Sequence, residues 1–152
     1  MQIDFYIMTI VAGVLATYVH MLFALWAPCY GLPRLDFPKG MAELCFGESF
    51  DGEPPYWLGL IVLHLNGIVF AFVYATVLGP MLTGPMVVRG LIWGGILFVA
   101  AQLVFVPVFF KDGFFGLKGH PRAWMTAFVV HAIFGGILGW LCPVLAAPLI
   151  RL

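Results

Sequence analysis

Among the polar side chains inside the longest apolar runs of this sequence are three histidines and a glutamine: His20, His64, His131 and Gln102. Their types limit the chemistry on offer. Neutral imidazole is the commonest metal ligand, and it also donates and accepts hydrogen bonds. Two imidazoles facing one another could hold a haem or a magnesium porphyrin axially, and three could hold zinc or copper. The cofactor-free alternative is a hydrogen-bonded layer. Histidine, glutamine, threonine and tyrosine pair across apolar helices for about 0.5–2 kcal/mol each, at separations of about 2.7–3.2 Å. No carboxylate stands in the middle of these runs to orient an imidazole, which weighs towards the cofactor-free layer. The fourth histidine, His120, belongs to a Gly/Pro-rich loop beside Arg122 and is expected at the solvated surface or near lipid headgroups.

Other chemistries lack their residues. There is no Gly-rich phosphate loop, GxSxG, HExxH or Ser/His/Asp set, so no catalytic residue is nominated and an enzyme is not expected. Asp36, Glu43 and Glu48 could form a metal patch, but a solvated loop face accounts for them more simply. Cys29, Cys45 and Cys142 have no metal-type spacing. Cys142 reads as a small core residue, and Cys29 and Cys45 could pair if their loop faced an oxidising compartment.

The elements that carry the polar residues follow from composition. The chain of 152 residues is 63% hydrophobic and 9% charged, with a mean hydropathy of +1.07. Soluble domains carry roughly a quarter charged residues, and seven basic and seven acidic side chains would leave wide apolar patches facing water. Lipid is the solvent that fits. The net charge of zero suggests no nucleic-acid partner. Met1-Gln2-Ile3-Asp4 has no basic n-region, so no cleaved signal peptide is expected and the first apolar run should stay in the mature protein.

A crossing of about 30 Å needs about 20 mostly apolar residues, and its backbone must satisfy its own hydrogen bonds. Residues 6–27, 57–78, 87–108 and 124–145 qualify. The expected fold is an all-α membrane protein, one domain over residues 1–152, built as an antiparallel bundle of four transmembrane helices. Loop one, residues 29–56, should carry a short interfacial helix over 38–46, with proline in its first turn and Gly47 closing it. Gly79 to Met86 reads as a tight turn, and Phe109 to Ala123 as a glycine-rich loop with the basic cluster Lys118, His120, Arg122. Trp57 and Trp124 sit where an aromatic belt belongs. Loops one and three hold five Lys/Arg, and the other side holds Arg89 and Arg151. The positive-inside rule then puts loops one and three in the cytoplasm and both termini outside.

On these boundaries each polar residue lies six or seven positions from the same end of its run, roughly 10 Å below one surface at about 1.5 Å per residue. They form a layer, and His64 and His131 should face the interior at similar depth. Stripes of small residues accompany them: Gly13 and Thr17; Gly67, Ala71 and Ala75; Gly90 and Gly94; Gly135, Gly139 and Cys142. Such stripes let helices approach closely, so the first helix should pack on the second and the third on the fourth. A parallel repeat of two helix pairs is a further expectation. It aligns Gly13 with Gly95, His20 with Gln102, and His64 with His131, each of the last two lying seven residues after a tryptophan.

Ala12-Gly13, Gly31-Leu32-Pro33-Arg34-Leu35-Asp36, His64…Gly67, Arg89-Gly90, Pro107, Gly113-Phe-Phe-Gly116 and His131…Gly135…Gly139 together carry a likeness. In these the sequence resembles small four-helix bacterial membrane proteins of the domain-of-unknown-function type. The resemblance implies a bacterial inner-membrane setting and no particular activity. The functional expectation is a non-enzymatic accessory or scaffold protein in lipid, bound to a protein partner or to its own copies. The rivals are a carrier of a haem, chlorophyll-type or metal cofactor on His64, His131, His20 and Gln102, and, behind it, a small transporter drawing anions to loop three.

Overall fold

The computed structural model describes residues 3–47 and 50–148. Glu48 and Arg151, counted above among the acids of loop one and the basic residues, lie outside them. Of the described residues 77% are helical, and none is in a strand. Helix α1 (Ile3–Trp26) runs on into a 3₁₀ turn at Ala27–Tyr30. Loop one contains α2 (Phe37–Phe46). Then come α3 (Tyr56–Val73), α4 (Met86–Ala100) and α5 (Ala123–Leu141). With their continuations, α1, α3, α4 and α5 are four helices long and apolar enough to cross a membrane. Their outward faces carry large apolar side chains such as Val69, Val104 and Trp140, the surface that lipid solvates.

Two of the helices widen next to a proline. After Val73 the backbone turns π-helical over Tyr74–Leu78, with Gly79 N–H donating to the Tyr74 carbonyl, just ahead of Pro80. After Ala100 it is π-helical over Ala101–Phe110, with Pro107 inside. Proline lacks an N–H and its ring clashes with the carbonyl four residues back; widening the turn relieves that clash without ending the helix. The first widened segment leaves the Ala75 carbonyl to accept from Leu145 N–H at 3.0 Å, tying the segment after α5 to α3.

Boundaries differ from expectation where proline acts. The last helix ends at Leu141 and not at 145, because Pro143 pushes Cys142 into extended backbone, φ −81° and ψ 126°. The first begins three residues earlier than expected, at Ile3, and its α-helical part ends at Trp26, ahead of a 3₁₀ turn that contains Pro28. Gly79–Met81 is still helical, so the turn after α3 begins later than Gly79. It is held by Arg89, which donates to the carbonyls of Gly84 (2.9 Å) and Gly79 (3.3 Å).

The small-residue stripes are used inside the fold. α1 packs on α3, α4 on α5, and α1 on α5. A Cβ on Gly13 would stand 2.9 Å from Ile68 Cα and 3.0 Å from Ala71 Cβ, and one on Gly67 would overlap the Thr17 hydroxyl. Across the other pair, Gly90 meets Gly135 and Gly139, and Gly94 meets the His131 carbonyl. Numbers fall along one helix of each pair as they rise along the other. The central core gathers Ala12, Ala16, Ala71, Tyr74, Trp93, Phe134 and Leu138.

One expected alignment does not survive this packing. A Cβ on Gly95 would meet nothing within 4 Å, so Gly94, not Gly95, occupies the contact that Gly13 makes in the first pair. Gly13 to His20 is seven positions and Gly94 to Gln102 is eight. His20 and Gln102 are nonetheless both buried.

Candidate functional site

Loop one is folded onto the helix ends and roofs the polar layer. Asp36 starts α2 by accepting from Lys39 N–H (3.2 Å), and its carboxylate also pairs with Arg34 at 2.8 Å. Glu43 lies 3.9 Å from Lys39. Asp36 and Glu43 are thus engaged as a helix cap and a surface pair. α2 is pressed against α3 where the Pro38 carbonyl meets Gly59, so closely that a Cβ on Gly59 would overlap it. A Cβ on Gly40 would stand 2.9 Å from the Phe110 ring, so α2 also touches the widened part of the third long helix. Met41 packs with Met21 and Leu63 in a second core cluster, and Thr126 donates to the Pro33 carbonyl at 2.9 Å. Every long helix therefore holds this roof.

Beneath it the structure brings His20 and His131 together. His20 stacks on Phe37 of α2 (centroids 4.7 Å apart, interplanar angle 21°) and meets His131 edge-on at 5.8 Å. Phe134 lies 6.1 Å from His20, and Phe98 lies 6.0 Å from His131. His20 is 8% exposed and its Nδ1 is buried with no hydrogen-bond partner.

His64 shares the depth but not the contact. Thr17 faces Gly67, and one turn further along Met21 packs with Leu63, which sets His64 level with His20. The buried face of α3 is Gly59, Leu63, Gly67 and Ala71, so His64 sits half-buried on its shoulder. Gln102 is 4% exposed, with its side-chain oxygen unpartnered.

The four residues do not hydrogen-bond to one another, contrary to the simplest form of a polar layer. Two of them bond backward along their own helices instead. His64 Nδ1 lies 2.8 Å from the Leu60 carbonyl, and His131 Nδ1 lies 2.7 Å from the Ala127 carbonyl. A carbonyl only accepts, so each Nδ1 carries the proton and each Nε2 keeps a bare lone pair. That is the tautomer in which histidine ligates through Nε2 while its other nitrogen is held by an oxygen. Sequence reasoning looked for an orienting carboxylate and overlooked the helix's own carbonyl four residues back. Among the described residues no three His, Cys, Asp or Glu side chains stand together to share a metal ion.

Comparison with protein-family models, curated proteins and solved structures finds no match to this chain. Trp93 belongs beside the site. Sequence reading passed over this residue, yet it is 6% exposed in the central core, with its indole N–H unpartnered. Its one signal is its place immediately before Gly94. Cys29 and Cys45 are free thiols at the surface, and Cys142 is free and buried. His120 is exposed, its Nδ1 accepting from Arg122 N–H at 3.0 Å.

Proposed function

We propose that this chain is a non-enzymatic accessory protein of a bacterial inner membrane, with loops one and three in the cytoplasm, and that it offers the outer face of loop one to a protein partner. The supporting observation is the way α2 is held. A surface loop left to itself would be free to move, but this one is clamped through Pro38 on Gly59, Gly40 on Phe110 and Pro33 on Thr126. Arg34, Lys39 and Glu43 are left pointing outward from that rigid support. A fixed charged face at the ends of four apolar helices suits recognition, because little ordering remains to be done on binding. Purification in mild detergent tests it: an assembly larger than the monomer is expected, and it should break down when Lys39 and Glu43 are both reversed in charge. A lone monodisperse monomer would count against it.

The Nδ1 contacts of His64 and His131 with backbone carbonyls favour a second reading, in which His131 Nε2, with His20 or His64, ligates a haem, a magnesium porphyrin or a metal ion. An absorption spectrum and metal analysis of the purified protein test it. A colourless, metal-free protein would remove it.

A further inference from the structure

Where the third long helix leaves its widened turns, loop three encloses an open cleft of about 640 Å³ lined by Pro107, Lys111, Gly113, Phe114, Leu117 and Lys118. Its backbone is tightly fixed. Lys111 and Phe115 adopt left-handed conformations (φ 56° and 59°), which non-glycine residues seldom do. Lys118 N–H closes the loop on the Asp112 carbonyl at 3.0 Å, and Gly116 N–H donates to the Gly113 carbonyl at 3.1 Å. The Lys118 stem lies over Gly113, its Cγ, Cδ and Cε 3.3–3.4 Å from where a Cβ would stand, and Lys118 lines the cleft. Lys118 has no ion pair among the described residues; the nearby acid, Asp112, has its carboxylate beside Gly119.

Apolar and cationic groups are thus juxtaposed. Phe114 is 63% and Leu117 56% exposed, and below them Val104 and Val108, 58% and 60% exposed, continue an outward apolar strip down the helix. This is the level at which headgroups meet acyl chains, where an amphipathic cleft finds both its ligands in one molecule. We infer that the cleft binds an anionic phospholipid, its phosphate against Lys118 and its chains along Phe114, Leu117, Val104 and Val108. The inference rests on the four helices crossing a membrane and not on the loop-one partner.

Native mass spectrometry of the full chain in detergent, with phosphatidylglycerol or phosphatidylcholine added, tests it. Phosphatidylglycerol should be retained preferentially. Lys118→Gln should lower its occupancy about fivefold, the effect of one lysine near an anionic surface, while Lys118→Arg restores it. Arg122→Gln removes the same charge from loop three outside the cleft lining and should leave occupancy unchanged. Chain-free glycerol phosphate should not displace the lipid. Equal retention of the two lipids, equal loss in the Arg122 and Lys118 variants, or displacement by glycerol phosphate would overturn the lipid site while leaving the membrane crossing intact.

Discussion

Gly59 lies against the carbonyl of Pro38 with no room for a side chain between them, and this contact fixes α2 to α3. Adding one methyl group here must push backbone from backbone. Gly59→Ala should therefore destabilise the protein by about 1–3 kcal/mol, the usual cost of overpacking, and lower the melting temperature in detergent. Gly95→Ala is the control, since its Cβ would enter open space; it should be neutral or gain about 0.5–1 kcal/mol from helix propensity. Equal melting of the two variants would mean α2 is not clamped at Gly59.

The same reasoning applies between α4 and α5. Gly94 and Gly135 each meet the opposite backbone, whereas Gly136 has only Leu91 Cδ2 at 3.7 Å. Gly135→Ala and Gly94→Ala should each lose about 1–3 kcal/mol, and Gly136→Ala should melt like the parent. A stable Gly135→Leu would show that this stripe faces lipid.

Much of this architecture is written in the apolar runs. Long stretches without charge locate the four long helices to within a few residues, and Asp36, Pro38 and Gly47 mark α2. What the sequence hides is backbone geometry that departs from 3.6 residues per turn. Pro107 can be read as a coming helix end, but not as a residue inside a ten-residue π segment. The site was legible as a depth and not as a set of contacts. Counting residues puts His20, His64 and His131 level, while only the packing shows His20 sandwiched between Phe37 and His131, with His64 on a shoulder.

His20 buries an Nδ1 with no partner, which costs about 1–3 kcal/mol if nothing else binds there. In a ligand-free protein His20→Phe should keep the stack on Phe37 and match or exceed parental stability. A loss beyond about 2 kcal/mol, more than a volume-conserving swap costs, would show that Nδ1 has a bound partner.

Thiol labelling reports both packing and sidedness. Cys29 and Cys45 are exposed on loop one, whereas Cys142 is buried against Ala71, its sulfur 3.8 Å from that carbonyl. A maleimide should label two of the three in detergent. In inverted membrane vesicles an impermeant maleimide should label both, and in right-side-out cells neither. The reverse pattern would put loop one outside.

The claim that loop one presents a partner-binding face is tested most directly by a photo-crosslinking residue in place of Glu43, compared with one in place of Trp140, in native membranes. Glu43 lies on the exposed side of α2, and Trp140 is 76% exposed on the apolar surface. One discrete protein adduct is expected from position 43, none from position 140, and loss of the adduct when Gly59→Leu unclamps α2. The adduct's mass will say whether the partner is a second copy or another protein. No protein adduct from position 43, or the same adducts from both positions, would contradict that claim.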